Sequence, residues 1–346
     1  MVHEVAKLAV PEAARSPRWR RWLFEGGRLL FGLVVLVIVV RQVDFDDLRT
    51  LTTAAHLVWA AGAFAFLSAN VWVAAWRWQL LLHILGVSER IGPLLRAIYV
   101  GAFYNLVLPG QLGGQAIKVV LVGRRSPALA AIIASVAMDQ LVVVAALLAV
   151  AAAAAALAPG LAHQADWVLG LSASALVATG IVAAAASARL QTRVRRRVRS
   201  LPLLHRLPAG IRSRAGDTWT ALSGYGRRPL LMVAAVAQGT LFFLTLAGMA
   251  VAVGRALGIE LSPATMTFVL TLGLIAGVAP FTLAGLGTRE PAFVAALGSF
   301  GVHRPSAPAF AVLWLLLNSL ADMLGAVLQF WHPRQTGTLE APVSRP

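Results

Sequence analysis

Two long apolar stretches of this 346-residue chain are interrupted in the same way, by Pro and Gly accompanied by polar residues that a lipid-facing helix does not tolerate. The first runs Phe103-Tyr104-Asn105-Leu106-Val107-Leu108-Pro109-Gly110-Gln111-Leu112-Gly113-Gly114-Gln115, with Lys118 one turn on. The second runs Val278-Ala279-Pro280-Phe281-Thr282-Leu283-Ala284-Gly285-Leu286-Gly287-Thr288-Arg289-Glu290-Pro291. Both interrupt the backbone ladder and free N–H and C=O groups at membrane depth. Such backbone persists only where protein buries it or where it lines a polar cavity. Similar breaks in the two halves of a membrane chain point to a transporter-type binding site. A chain built this way is more than an anchor.

Composition agrees with a membrane class. The chain is 59% hydrophobic and 13% charged, against roughly 25% charged in soluble domains. Cysteine is absent, which excludes disulfides, thiolate nucleophiles and Cys-ligated metals. The formal charge of +16 raises the question of nucleic acid. Its Arg residues flank apolar spans and do not line one basic face, which argues against that partner.

A helix needs about 20 apolar residues to cross the hydrocarbon. The candidates are Leu23 to Val40, Leu57 to Leu82, Ala128 to Leu157, Trp167 to Ala186, Leu230 to Val253 and Pro308 to Trp331. Pro93 to Leu108 enters the first break and Gln111 to Val122 leaves it; Pro263 to Val278 enters the second and Pro291 to Phe300 leaves it. Trp72, Trp76 and Trp78 read as interfacial aromatics near the end of their span. The first span is no cleaved signal peptide, since it starts late and Arg41-Gln42-Val43-Asp44 stands where small cleavage-site residues belong.

Charge orients these segments. Between Arg189 and Arg228 stand eleven Arg and one acid, Asp217, which places that loop in the cytoplasm by the positive-inside rule. Counting outward, the basic N-terminus is also cytoplasmic, and the Asp44 to Asp47 loop is outside. The expected fold is an all-α polytopic membrane protein of about six full transmembrane helices plus two oppositely oriented re-entrant helical hairpins. The first hairpin opens to the cytoplasm and returns at Arg124-Arg125; the second opens outward, between Glu260 and Arg304. Replacing a hairpin by two full spans leaves the sidedness unchanged. Residues 1–22 form a cytoplasmic basic tail, 23–332 the transmembrane domain with its Arg-rich loop 189–229, and 333–346 a cytoplasmic tail.

The chemistry rests on few residues. A charge embedded in a membrane costs at least ~2.5–3.5 kcal/mol, so the adjacent Arg289 and Glu290 point to a function. Arg289, at the start of a returning helix, can bind phosphate together with backbone N–H groups, and Glu290 can orient it or accept a proton or an amine; the alternative is an interfacial pair facing water. Lys118 repeats the pattern at the other returning helix, or snorkels to water. Asn105 and Tyr104 satisfy freed carbonyls or line the cavity. Asp139, the one acid in its span, needs a cation if buried and ionised, with Lys118 and Arg289 as the expected partners. Asp322, with Asn318 a turn earlier, is a second such acid. Both fit packing or counter-ion roles better than proton carriage. The basic loop attracts anionic lipid or simply fixes topology. The histidines are scattered, and no metal-ligand spacing, nucleotide fingerprint or catalytic triad is present.

Asn105 ahead of Pro109-Gly110, then Gly113-Gly114 and a basic residue, then Ser135-x-x-x-Asp139, then Pro280 and Gly285-Leu286-Gly287-Thr288-Arg289-Glu290 resembles the lysylphosphatidylglycerol synthase-type, flippase-like transmembrane family. The resemblance covers nearly all of residues 20–332, and the Gly285 to Glu290 motif is its most specific part. This chain departs from the family pattern with Gln115 and Lys118, where an acid and an Arg are usual, with Gln140 after Asp139, and with Pro280-Phe281-Thr282-Leu283-Ala284-Gly285 before the motif. The resemblance implies no aminoacyl transfer, because synthases of that name carry a separate soluble catalytic domain and this chain ends at Pro346.

The expected function is therefore binding or translocation of a phosphate-bearing envelope lipid with an anionic head group, in the bacterial plasma (inner) membrane. No enzyme activity, cofactor or metal is expected. The expected site comprises Arg289, Glu290, Lys118, Asp139 and Asn105, framed by Gly113, Gly114, Gly285 and Gly287. The alternative is a non-transporting partner of an envelope-lipid biosynthetic enzyme, docked through the basic loop.

Overall fold

The computed structural model describes residues 54–107, 112–124, 126–158, 165–187, 209–277, 288–302 and 306–330. The expected Leu23 to Val40 span, both tails, the basic run 189–208, and Pro109, Gly110, Pro280, Gly285 and Gly287 lie outside the described residues. The described chain contains ten α-helices and no strand. They are α1 (Ala54–Ile84), α2 (Ile91–Val107), α3 (Leu112–Gly123), α4 (Leu129–Leu157), α5 (Ala165–Ala186), α6 (Ala209–Ser223), α7 (Pro229–Ala256), α8 (Pro263–Ala276), α9 (Arg289–Ser299) and α10 (Ser306–Phe330). One 3-10 turn, Gly224–Arg227, joins α6 to α7.

Length separates eight of these helices into two sets; α5, expected as a full span, and α6 have 22 and 15 residues, and neither is among the four candidate membrane spans. Helices α1, α4, α7 and α10 are long and apolar enough to cross a membrane. Helices α2, α3, α8 and α9 have 17, 12, 14 and 11 residues, which at about 1.5 Å per residue fall short of the ~30 Å hydrocarbon. The long helices are apolar all round. Val58, Phe64 and Trp72 of α1, Leu176 of α5, Leu230 of α7 and Leu320 of α10 remain exposed, as expected of a surface solvated by lipid.

Local signals set the ends. Gly86, Gly258 and Gly301 adopt positive φ just past α1, α7 and α9. In each case the next residue's N–H reaches back across the turn, Val87 to Leu82, Ile259 to Gly254 and Val302 to Leu297, closing the last carbonyls in a Schellman motif. Ser262 caps α8 by accepting from the Thr265 N–H at 3.1 Å, with Pro263 in the first turn.

Helix α4 is central and packs against α1, α3, α5, α6, α7 and α8, while α1 lies along α7. A core of Met249, Met266, Phe293, Phe310 and Trp314 joins α7 to α10, with Phe293 edge-on to Phe310 at 5.4 Å between centroids. The stretch expected to be an Arg-rich cytoplasmic loop contains α6, which packs on α4. Beside it, the buried Tyr225 hydroxyl donates to the Leu81 carbonyl at 3.2 Å. Burial, reinforced by the Asp139 carboxylate, pushes the Tyr225 phenol above its usual range, so this tie holds at any physiological pH.

Each break is flanked by antiparallel helices. In the first, Asn105 on α2 faces Gly114 on α3, and a Cβ added at Gly101 would lie 3.1 Å from Lys118 Cγ. In the second, α8 packs on α9, and Gly277 at the end of one stands against Arg289 at the start of the other. Helix α10 packs against both α2 and α9. A Cβ at its Gly325 would collide with the Tyr99 carbonyl of α2 and stand 3.0 Å from Phe103 Cβ. Backbone cannot yield as a side chain does, so Gly325→Val should lower stability by at least about 1–3 kcal/mol. Thermal unfolding of the purified variant checks this; a melting temperature equal to that of the parent would mean the crossing is looser than described.

Candidate functional site

Three charged side chains meet at the first hairpin. Asp139 of α4 accepts from Arg77 Nε of α1 at 2.7 Å, and its other oxygen lies 3.8 Å from Lys118 Nζ of α3. Arg77, Lys118 and Asp139 are 2%, 8% and 4% exposed. Two cations therefore share one carboxylate, away from water. Aromatic faces complete the surroundings: Lys118 lies over the Trp78 ring at 5.1 Å, and the Arg77 guanidinium over Phe242 at 4.9 Å. These cation–π contacts stabilise desolvated cations more than exposed ones. The Trp78 ring is fixed by its N–H, which donates to Ser135 Oγ at 3.0 Å.

Helical periodicity explains the convergence. Ser135 and Asp139 are four apart on α4, so they share a face, with Ser135 meeting Trp78 and Asp139 meeting the adjacent Arg77. Gly114 and Lys118 share a face of α3 in the same way. Asn105 Oδ1 accepts from the Gly114 N–H at 2.8 Å, satisfying one of the donors that a helix start leaves free. This is the structural role weighed for Asn105, except that the satisfied group is an N–H and not a carbonyl. A Cβ on Gly114 would strike Asn105 and the Gly101 oxygen, so this crossing requires glycine. Gly113, beside it, is half-buried.

The second hairpin carries its own charges. Arg289 Nη2 lies 3.6 Å from Glu290 Oε1, with side chains 13% and 19% exposed, and Asp322 of α10 is close enough to interact electrostatically with Arg289. Asn318 donates to the Trp314 carbonyl of its own helix at 2.8 Å. On α10, Asp322 and Gly325 are one turn apart, one near Arg289 and the other against α2. The two hairpins are thus linked through consecutive contacts along a single helix.

Of the two partners expected for Asp139, Lys118 stands beside it, whereas Arg289 is paired with Glu290 and the short contact comes from Arg77. Trp78, expected at the interface with Trp72 and Trp76, is 1% exposed and packed inside, whereas the other two are exposed. Lys118 does not snorkel to water. Arg77 is the residue the sequence reading missed. It is a charge inside a predicted span, the signal that singled out Arg289.

Among the described residues, no three His, Asp or Glu side chains come together in a way that could hold a metal ion. A family model described as the lysylphosphatidylglycerol synthase TM region matches residues 27–324. No curated protein and no solved structure matches the chain.

Proposed function

The chain belongs to the lysylphosphatidylglycerol synthase TM region family, and from that premise we propose that it binds a phosphate-bearing lipid at membrane depth and moves its head group between leaflets. The observation that carries this reading is the buried excess of cation over anion: Arg77 and Lys118 share Asp139 within an apolar bundle. A bundle that merely holds itself together gains little from burying ions, since apolar residues of the same volume do as well or better. An uncompensated buried cation is explained when an anionic ligand visits it.

The position of the charges supports passage across the bilayer. Arg77 lies about two turns from the Ile84 end of α1, and Asp139 about three turns into α4 from the end near Gly123. Arg289 opens α9, about three turns from its other end at Ser299. With the hairpins inserted from opposite faces, the two charge groups approach each other near the midplane, and α10 connects them. The same arrangement brings the Phe330 end of α10 to the side of α1's Ile84 end, which fits a cytoplasmic C-terminus. In this reading the chain is a transporter of a bacterial plasma-membrane lipid and not an enzyme.

The test is translocation of a fluorescent anionic phospholipid in vesicles containing the purified chain. Protein-dependent loss of leaflet asymmetry is the expected result. Vesicles that keep their asymmetry, with folded protein present, would favour the other role, that of a membrane partner for an envelope-lipid biosynthetic enzyme.

A further inference from the structure

We infer that the Arg77–Lys118–Asp139 cluster is a binding site for a singly charged phosphodiester, in which Lys118 is the cation that exchanges from Asp139 to the ligand and Arg77 supplies a second donor. The inference rests on the lipid reading above and deepens it by fixing the charge class of the head group.

Four observations converge. The formal charges, two cations and one carboxylate, leave the cluster at +1. The two cations are held unequally: Arg77 Nε makes a hydrogen bond to Asp139 at 2.7 Å, whereas Lys118 Nζ stands 3.8 Å from the other oxygen, beyond good hydrogen-bond length. Arg77 Nη1 is buried with no hydrogen-bond partner among the described residues, on a side chain 2% exposed. Finally, Lys118 is held by its stem. A Cβ on Gly101 would stand 3.1 Å from Lys118 Cγ, so the stem packs against the bare Gly101 backbone, while the ammonium lies over the Trp78 ring and 3.8 Å from Asp139.

Charge matching then selects the ligand class. In a medium of low dielectric, residual charge is costly. A phosphodiester carries one negative charge and brings the cluster to neutrality. A phosphomonoester carries about −1.5 to −2 at neutral pH and would leave it negative. A zwitterionic head group adds an ammonium that the two cations repel. Free phosphate offers the same acceptor oxygens without the ester groups or the single fixed charge, so the ligand source is tested along with the charge.

The experiment is equilibrium binding to the full-length chain in detergent, using short-chain phosphatidylglycerol, phosphatidic acid, phosphatidylcholine and inorganic phosphate. The parent should prefer phosphatidylglycerol. Lys118→Gln leaves Arg77 and Asp139 as a neutral pair, so it should fold while binding phosphatidylglycerol roughly tenfold or more weakly. Lys118→Arg should retain most of the affinity. Asp139→Asn raises the cluster from +1 to +2 and should shift the preference toward phosphatidic acid. A cluster that is only a structural ion triad predicts unchanged affinity in folded Lys118→Gln, and that result overturns the assignment. So does a parent with no preference for phosphatidylglycerol over phosphatidic acid, a comparison that needs no variant. Inorganic phosphate competing as well as the lipid overturns the lipid source. Translocation that persists while Lys118→Gln binds normally sinks this site and leaves transport standing. Lys118-dependent binding without translocation does the reverse.

Discussion

Arg77→Gln lowers the unfolding free energy by about 3–5 kcal/mol, the usual cost of removing one partner from a buried ion pair. The reason is geometric. Arg77 makes the short contact to Asp139, and Lys118 at 3.8 Å does not replace it, so the carboxylate would be left with one loose cation inside the bundle. Removing charge together should be far milder: Arg77→Met combined with Asp139→Leu and Lys118→Met removes all three charges and should recover most of the loss. Chemical denaturation in detergent, read as a mutant cycle, checks both. Equal damage from the single and triple replacements would mean that side-chain shape, and not charge pairing, holds this region.

Arg289→Ala abolishes lipid translocation while leaving the protein folded. The second hairpin has one cation, half-buried beside Glu290 and near Asp322. Arg289→Lys retains the charge but loses the planar two-pronged donor geometry suited to phosphate, so activity should fall without vanishing. Glu290→Gln should impair activity by loosening Arg289. Arg195→Ala and Arg197→Ala should leave transport nearly unchanged, because many basic residues share that run. Rates in reconstituted vesicles, with protein level and melting temperature recorded for each variant, decide between site and surface. Normal transport in Arg289→Ala with loss from the Arg195 or Arg197 changes would move the function to the basic loop and to a docked partner.

Much of the helical order was legible in the sequence because lipid imposes a length and a polarity on every crossing segment. Leu57 to Leu82 corresponds to Ala54–Ile84, Leu230 to Val253 to Pro229–Ala256, and Pro263 to Val278 to Pro263–Ala276. Helix α6 was less visible, since its composition is that of a solvated loop and its packing onto α4 is a tertiary fact. The site was legible in its parts and not in its pairings. Asp139 demanded a cation, but Arg77 lies 62 positions away, and no spacing rule connects them. Trp78 shares the sequence signature of its neighbours Trp72 and Trp76, and only the indole N–H that it donates to Ser135 sets it apart. A charge near the end of a span has the same sequence signature whether it snorkels or turns inward. Only the rotation of the helix about its axis separates the two, and neighbouring helices set that rotation.

The central claim is that the two broken hairpins serve one lipid phosphate at membrane depth. A structure of the chain in nanodiscs containing phosphatidylglycerol tests it most directly. The account predicts a head-group phosphate within hydrogen-bond reach of Lys118 and Arg77, or of Arg289, with acyl chains leaving between helices toward the bilayer. Lipid found only on the outer surface of α1, α5 and α7, with both hairpins packed solid against each other, would contradict it.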